Sequence, residues 1–294
     1  MSRFAGKVAI ITGELKKNNF VLSCIRSSGS SNGIGRAAAV LFAREGAKVT
    51  ITGRNTERLE ETRQQILAAG VPEGNVNSIV ADVTTDAGQD QILKSTLEKF
   101  GKLDILVNNA GAAIPDSQGK TGVSQGLDTY DATLNLNMRS VIALTQKAVP
   151  HLTETKGEIV NISSIASGIR ATPEFSYYSI AKAALDQYTR NTAIALIEHG
   201  IRVNSISPGL VATGFGSAMG MPEQVADKFY SVMATKKECV PAGVMGQPND
   251  IAEAIAFLAD RKTSSYIIGH QLVVDGGSSL IMGLHCQDFA ALLK

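Results

Sequence analysis

The sequence predicts a doubly wound α/β fold, in which seven parallel strands form one sheet and helices cover both of its faces. Short runs rich in Val and Ile alternate with longer segments whose apolar residues recur at helical spacing. Such alternation requires right-handed crossovers, which place helices on both faces of a parallel sheet. The pattern continues without a linker or an internal repeat, so we expect residues 1–294 to form a single domain.

Each strand is predicted from a run of β-branched residues, and each helix from apolar residues three and four positions apart. The predicted strands cover residues 7–12, 48–52, 76–81, 103–107, 158–162, 201–206 and 271–274. The predicted helices cover residues 36–45, 57–69, 86–100, 127–152, 178–198 and 249–258. Residues 210–246 break this alternation, because they form a long segment with several glycines between the sixth strand and the last helix. We interpret this segment as a substrate lid.

Composition excludes several classes of partner. Lys and Arg total 28 against 27 Asp and Glu, so the formal net charge of +1 gives no electrostatic case for binding nucleic acid or a membrane surface. Cys24, Cys239 and Cys286 lie far apart and the four histidines are scattered, so we expect neither disulfides nor a metal site. No apolar run approaches the roughly 20 residues of a membrane span, and the start of the chain lacks the apolar core of a signal peptide. We therefore expect a cytoplasmic protein.

A glycine-rich turn follows the first strand in two parts. Thr12 and Gly13 end the strand, and residues 30–35 lead into an alanine-rich helix. Glycines at such a turn let the backbone approach a pyrophosphate, whose charge the helix N-terminus then meets, although similar turns also occur without ligands. Joined, the two parts read T-G-x-x-x-G-x-G, which resembles the cofactor motif of the Rossmann-like short-chain dehydrogenase/reductase family. The resemblance implies cofactor contacts from Gly13, Ser31, Asn32, Gly33, Ile34 and Gly35.

Residues 14–29 separate the two parts of this motif, a 16-residue departure from the family pattern. One interpretation is a tolerated surface loop, because long insertions add little closure entropy. Another is a short retained intron, because codons for residues 13–15 and 28–29 can carry splice-donor and splice-acceptor sequences. Both interpretations stay open.

The end of the second strand favours NADP over NAD. An NAD enzyme places a carboxylate near this point for the ribose 2′-hydroxyl, whereas an arginine suits a 2′-phosphate. Gly53 supplies no carboxylate, and Arg54 offers a bidentate donor. A solvated arginine in a turn is the alternative. Asp82, after the third strand, matches the family position that contacts the adenine ring, and its alternative role is that of a cap or turn residue.

Two further segments resemble parts of the family's cofactor site. Residues 108–111 read N-N-A-G after the fourth strand, and in the family this motif stabilises the central sheet beside the cofactor. Asn109 is the expected cofactor contact, and a purely structural role for the amides remains equally open. After the sixth strand, the resemblance implies a nicotinamide clamp formed by Pro208, Val211 and Thr213.

Tyr178 and Lys182 are the leading catalytic candidates. Their i,i+4 spacing places both side chains on one face of a helix. A free phenol, with a pKa of about 10, is a poor proton donor at neutral pH, and a nearby ammonium favours the phenolate. We therefore expect Lys182 to lower the pKa of Tyr178, and the resemblance adds a contact with the cofactor ribose. Tyr177 has Ala181 four residues later, so its register lacks the lysine.

The resemblance supplies two more catalytic candidates. Ser164 follows the fifth strand at the carboxyl edge of the sheet, where a hydroxyl can bind the substrate oxygen. Adjacent Ser163 has the same chemistry and is the alternative. Asn137 aligns with the family's active-site asparagine, which bends its helix and relays protons toward the lysine through water, whereas Asn135 does not align.

The resemblance spans residues 4–278 and implies an NADPH-dependent carbonyl reductase or alcohol dehydrogenase. Its substrate would be a small-molecule carbonyl compound or alcohol, and the chain would assemble as a homo-oligomer, a dimer or tetramer. The alternative is a catalytically impaired chain that the insertion prevents from binding cofactor and that acts only as an oligomer subunit. Residues 279–294 lie beyond the shared pattern and form a tail that packs on a partner subunit or stays loose. The substrate is not identified, since the apolar residues of the lid segment would serve equally to contact a substrate or to pack the lid: Phe215, Met219, Met221, Phe229, Tyr230 and Met233.

Overall fold

A computed structural model describes residues 2–13, 33–213 and 223–281. Within them, one parallel sheet of seven strands has the order β3-β2-β1-β4-β5-β6-β7. The strands are β1 (Val8–Ile11), β2 (Lys48–Gly53), β3 (Val76–Val80), β4 (Ile105–Asn108), β5 (Glu158–Ile162), β6 (Arg202–Pro208) and β7 (Gln271–Val274). The chain begins at the middle of the sheet and winds outward in both directions, so the predicted doubly wound fold is confirmed.

The described helices match the predicted ones closely, with one interruption and two additions. They are α1 (Ile34–Arg44), α2 (Thr56–Ala68), α3 (Asp86–Phe100), α4 (Leu127–Leu134), α5 (Ser140–Thr155), α6 (Ser176–Leu196), α7 (Glu223–Thr235), α8 (Pro248–Ala259) and α9 (Arg261–Ser264). The addition that matters for the site is α7, which lies in the segment interpreted as a lid. None of the described helices is long and apolar enough to cross a membrane, and no group of three or more His, Cys, Asp or Glu residues is arranged there as metal ligands would be.

The interruption falls in the predicted helix 127–152. A π-helical segment (Asn135–Arg139) separates α4 from α5. Within it, Asn137 Nδ2 donates a hydrogen bond to the carbonyl of Thr133, at 2.9 Å. A side chain that bonds the carbonyl four residues earlier competes with the backbone ladder, and π-helical turns of this kind are often found at functional sites.

The core consists of two layers, one on each face of the sheet. Helices α1, α2 and α8 pack on one face, and α3, α5 and α6 pack on the other. Strand β1 shows the alternation that links them, because Ile11 points into the first layer and Ile10 into the second. Burial of each such side chain stabilises the fold by about 1.5–3 kcal/mol. The rigid sheet fixes its carboxyl edge, where the ends of β1, β4, β5 and β6 meet.

Candidate active site

A cavity of about 690 Å³ opens at the carboxyl edge of the sheet. This volume is within the range of small-molecule and cofactor sites. Residues from both halves of the sequence line it, including Gly33, Ile34, Asn109, Ser164, Tyr178, Lys182, Pro208, Val211 and Thr213. Nine of the predicted site residues thus come together in one place, as expected where parallel strands end.

Tyr178 and Ser164 meet in this cavity. Tyr178 is the third residue of α6, and the side chain of Ser164 lies close enough to lower the pKa of its phenol. Ser164 lies just beyond β5 and begins a short 3₁₀ turn (Ile165–Ser167), where its Oγ accepts a hydrogen bond from the Ala166 N–H at 3.1 Å. The end of a strand and the start of a helix therefore place two hydroxyl groups where a substrate oxygen can bind both.

The adjacent serine and tyrosine have different partners. The Ser163 hydroxyl donates to the carbonyl of Lys182 at 3.4 Å. The Tyr177 hydroxyl donates to the carbonyl of Gln125 at 2.9 Å, and its ring packs edge to face on Tyr130. Ser163 lies on the cavity wall but bonds the backbone of α6, and Tyr177 is held by the loop before α4. These contacts favour the Ser164 and Tyr178 register over the alternative one.

Lys182 is almost entirely buried, with 2% of its surface exposed. Its ammonium donates to the carbonyl of Ile162 at 2.8 Å and lies 5.6 Å from the centre of the Tyr178 ring. Burial lowers the pKa of Lys182 to about 8, and the charge of Asp186 acts against this change. Lys182 is therefore a charged group whose proton is held weakly for a lysine.

The pKa of Tyr178 moves in the direction opposite to the sequence-based expectation. Burial raises the pKa of the phenol to about 12, and the hydrogen bond with Ser164 reduces that rise. Lys182 is not among the groups that shift it. The cost of removing a phenolate from water therefore exceeds the effect of the lysine charge across the distance found here. Among the described side chains alone, the expected lowering by Lys182 does not occur.

Asn137 ties the π-helical segment to the backbone that follows β4. Its Oδ1 accepts from the N–H of Ala112 at 3.0 Å, and its Nδ2 donates to the carbonyl of Ala112 at 2.8 Å. Gly111 lies between Asn137 and Lys182, since a Cβ added there would be 2.7 Å from Asn137 Oδ1 and 2.9 Å from Lys182 Nζ. The glycine of the N-N-A-G segment thus allows these two side chains to approach one another.

The two asparagines of the N-N-A-G segment have separate roles. Asn108 Nδ2 donates to Asn161 Oδ1 at 2.9 Å, inside the sheet. Asn109 Nδ2 donates to the carbonyl of Thr12 at 2.9 Å, and Asn109 also lines the cavity. The structural alternative therefore describes Asn108, whereas Asn109 joins β4 to the end of β1 and faces the site.

The glycine turn fits a phosphate ligand. Gly33 precedes α1 with a φ of 66°, which few side chains tolerate, and a Cβ there would lie 3.0 Å from the Thr213 methyl group. A glycine at this position also leaves no side chain of its own over the first N–H groups of α1, which are the donors an anion needs. Gly35 is buried in the first turn of the helix. Ser31, Asn32 and the insertion at residues 14–29 lie outside the described residues.

Arg54 and Asp82 bind each other. Arg54 Nη1 lies 3.1 Å from Asp82 Oδ2, and both side chains are partly exposed. Burial tends to raise the pKa of Asp82, but hydrogen bonds from Thr84 and the charge of Arg54 outweigh it and hold the pKa below its ordinary value. Gly53 stands beside the turn, because a Cβ there would be 3.4 Å from the carbonyl of Gly13. Two residues predicted to contact different parts of a nucleotide are therefore paired at the same end of β2 and β3.

The segment after β6 also lines the cavity. Val211 pairs with Gly246 in an isolated bridge, which holds Leu210 and Thr213 over the cavity. Tyr230 on α7 is 8% exposed and also lines it. Of the residues named for the lid, Phe215, Met219 and Met221 lie outside the described residues, as does the side chain of Phe229.

Sequence reasoning missed three residues near the site. Gly111 separates Asn137 from Lys182, Gln271 lines the cavity from β7, and Asp186 is buried one turn beyond Lys182. The position of Asp186 has a signal in the sequence, since it continues the i,i+4 spacing from Tyr178. Gln271 has none, because it is brought to the site only by the pairing of β7 with β6.

A doubly wound sheet whose carboxyl edge joins a glycine turn to a Tyr in the cavity and a buried Lys defines a nucleotide-dependent oxidoreductase. The chain belongs to the short-chain dehydrogenase/reductase family. A family model described as enoyl-(acyl carrier protein) reductase matches residues 29–279. The chain is therefore an NAD(P)-binding oxidoreductase that acts on alcohol or carbonyl groups, as the sequence predicted.

Named relatives cover nearly the whole chain. The (2S)-[(R)-hydroxy(phenyl)methyl]succinyl-CoA dehydrogenase subunit BbsD of Thauera aromatica is 36% identical over 87% of this chain and 96% of its own length. The 3-oxoacyl-[acyl-carrier-protein] reductase FabG of Thermotoga maritima is 32% identical over 94% and 98%.

Two crystal structures from Caenorhabditis elegans are more similar in sequence. A short-chain dehydrogenase/reductase of unknown function, solved with cofactor, is 60% identical, with 97% of this chain and 100% of that chain covered and a TM-score of 0.90. A glucose dehydrogenase in the apo form is 73% identical, with 95% and 100% covered and a TM-score of 0.78.

Proposed function

We propose that this chain reduces a carbonyl group to a secondary alcohol, and catalyses the reverse reaction, with NADPH as its preferred cofactor. Tyr178 is the general acid and base, Ser164 binds the substrate oxygen, and Lys182 and Asn137 support proton transfer. The convergence of Tyr178, Ser164 and Lys182 on the wall of one cavity is the observation that carries the proposal. It places a proton donor and a second hydroxyl at one point.

The raised pKa of Tyr178 suits the reducing direction. A phenol with a pKa of about 12 is protonated at neutral pH, so it can deliver a proton to an oxygen that is gaining negative charge. The Ser164 hydroxyl stabilises that charge by donating to the same oxygen. Bound NADPH supplies the hydride. The buried ammonium of Lys182, 5.6 Å from the centre of the phenol ring, provides a positive charge near the reacting groups.

The cofactor half of the cavity is assigned from the residues around the glycine turn. The first turn of α1 would hold the pyrophosphate, with Gly13, Ser31, Asn32, Gly33, Ile34 and Gly35 forming the turn. Asn109 and Lys182 would hold the ribose next to the nicotinamide, and Asp82 the adenine. Pro208, Val211 and Thr213 would clamp the nicotinamide itself.

NADPH preference rests on Arg54. Its guanidinium is partly exposed at the end of β2, where Gly53 offers no carboxylate to a ribose 2′-hydroxyl. A 2′-phosphate can share this guanidinium with Asp82, since an arginine has five N–H donors. The ion pair with Asp82 weakens the contact between Arg54 and a 2′-phosphate. The preference is the difference between the affinities for NADPH and NADH, so both cofactors must be measured.

The substrate half of the cavity favours a carbonyl compound with an apolar body. Its walls include Ile165, Ile169, Phe175, Leu210, Tyr230 and Val273. Two of the polar side chains there have partners in the protein, as the Thr172 hydroxyl bonds that of Ser179 and the Gln271 amide bonds Asp186. Sugars need uncommitted donors and acceptors, whereas an apolar ketone does not.

An activity panel tests this proposal. The full chain is assayed for reduction of apolar ketones, acetoin and an acyl thioester with a β-keto group, with NADPH and with NADH. Oxidation of glucose is assayed with the two oxidised cofactors. We expect the highest kcat/KM for an apolar ketone with NADPH. Glucose is the critical comparison, because a glucose dehydrogenase is 73% identical. Failure of the full chain to bind either reduced cofactor would instead favour the impaired subunit, which the comparisons do not support.

A further inference from the structure

Two ionisable residues, Lys182 and Asp186, are buried on α6. Asp186 lies four residues after Lys182, so helix geometry places both on one face. Asp186 is 4% exposed and Lys182 is 2% exposed. A charge this far from water is costly unless another charge or hydrogen bonds compensate for it. The reaction described above assigns no role to Asp186.

The carboxylate of Asp186 is fixed from a neighbouring strand. Gln271 Nε2, on β7, lies 2.6 Å from Asp186 Oδ2, 2.8 Å from Ser207 Oγ and 3.0 Å from Ser167 Oγ. An amide nitrogen carries two protons, so the two shortest contacts, to Asp186 and Ser207, are the hydrogen bonds. Gln271 also lines the cavity. A wall residue of the site therefore holds this buried carboxylate in place.

Asp186 is the acidic residue that acts on the charge of Lys182. The described groups around the Lys182 side chain are Tyr178 and Asp186 on α6, Asn137 on the π-helical segment, Gly111 after β4 and Ile162 at the end of β5. Of these, only Asp186 has an acidic side chain. Burial raises the pKa of Asp186, and hydrogen bonds from Ser163 and Ser167 and the charges of Arg190 and Lys182 oppose that rise. The described groups around Asp186 are Lys182 and Arg190 on α6, Ser163 and Ser167 after β5, and Gln271 on β7.

We infer that Asp186 is a positioning residue for the reaction: its carboxylate, held by Gln271, is the buried counter-charge that keeps Lys182 as an ammonium. This inference rests on the proposed role of Lys182. Burial lowers the pKa of Lys182 to about 8, and Asp186 opposes that change. Without the carboxylate, the pKa of Lys182 falls further and a part of the protein carries a neutral lysine at neutral pH.

Unfolding of the cofactor-free protein at different pH values measures this coupling without any assay of activity. The folded pKa of Lys182 is about 8 and its ordinary value is 10.5, so the unfolded chain binds more protons between these values. The free energy of unfolding therefore contains a contribution that rises with pH across this window. Lys182→Met lacks that contribution and is the reference for the difference.

Asp186→Asn is the test variant, because it keeps the size of the side chain and an acceptor for Gln271 while removing the charge. We expect the Lys182 contribution to the free energy of unfolding to begin its rise about one pH unit lower than in the wild type. The alkaline limb of the pH profile of kcat/KM should move to lower pH by the same amount. Asp186→Ser, a smaller neutral replacement, must show the same displacement. Asp186→Glu retains the charge and must keep the onset near that of the wild type.

An unchanged onset in both neutral variants would overturn the inference. So would an equal displacement in Asp186→Glu, because packing rather than charge would then be responsible. A displaced onset with an unchanged pH profile of kcat/KM would support the coupling between Asp186 and Lys182 but contradict the proposed role of Lys182 in the reaction. The two failures are therefore distinguishable.

Discussion

The Lys182 ammonium lies 5.6 Å from the centre of the Tyr178 ring, one helical turn further along α6. This distance is within the range of a cation–π contact. Burial acts on the two groups in opposite directions, raising the pKa of Tyr178 to about 12 and lowering that of Lys182 to about 8. Each shift favours the neutral form of its group. The site therefore keeps a protonated phenol beside a lysine whose ammonium form is destabilised by burial.

The pH dependence of stability should reveal the phenol. The folded pKa of Tyr178 is about 12 against an ordinary 10.0, so the folded protein binds more protons than the unfolded chain between these values. The contribution of Tyr178 to the free energy of unfolding therefore falls as the pH rises through this window. Denaturation of the wild type and of Tyr178→Phe, compared at increasing pH, measures it. A difference that is constant across the window would contradict the raised pKa.

Arg54→Asp should shift cofactor preference from NADPH toward NADH. The 2′-phosphate would meet a carboxylate, whereas a 2′-hydroxyl can donate to one. The affinities of both cofactors are titrated, because specificity is their ratio. Arg63→Asp, the same charge change on α2, is the control, since Arg63 pairs with Glu60 on the surface of that helix. An unchanged ratio in Arg54→Asp would show that Arg54 is a solvated turn residue.

Gly111→Ala should damage both stability and turnover. The added Cβ would lie 2.7 Å from Asn137 Oδ1 and 2.9 Å from Lys182 Nζ, so one of these side chains must move. We expect the free energy of unfolding to fall by about 1–3 kcal/mol and kcat to fall with it. Gly74→Ala is the control, because a Cβ there has open space. Normal kcat in Gly111→Ala would contradict the close packing of Asn137 against Lys182.

Deletion of residues 14–29 should raise both thermal stability and NADPH affinity. The family model matches the chain from residue 29, the point at which the interrupted glycine motif resumes. Without the insertion, Gly13 leads directly to the turn before α1, whose N–H groups then converge on a pyrophosphate. Thermal denaturation and equilibrium NADPH binding, compared with the full chain, measure the effect. A deletion variant that melts no higher and binds no tighter would identify the insertion as an accommodated loop.

The sequence predicted those elements whose bounds depend on residues within the element itself. Strand β5 and helix α3 have the predicted bounds, because β-branched runs and helical spacing are local properties. Apolar spacing alone did not predict the π-helical segment, and only the family resemblance implied a bend at Asn137, whose side chain bonds Ala112, which is distant in sequence. The pairing of Arg54 with Asp82 and of Asp186 with Gln271 likewise depends on which strands lie side by side.

The pKa of Tyr178 shows a different limit. The spacing of Tyr178 and Lys182 correctly placed them on one helix face, but the sign of the shift depends on how deeply the phenol is buried. Depth is a property of the assembled cavity, to which β4, β5 and α6 all contribute. No pattern within α6 contains that information.

The central claim is that Tyr178 donates the proton, and Tyr178→Phe tests it most directly. The variant loses only the hydroxyl, so kcat should fall by about 10²–10⁴-fold while the affinity for NADPH stays nearly unchanged. Tyr177→Phe is the matched control, which loses one hydrogen bond to the carbonyl of Gln125 and should keep its turnover. Steady-state kcat and NADPH binding of both variants are the measurement. An active Tyr178→Phe beside an inactive Tyr177→Phe would contradict the account.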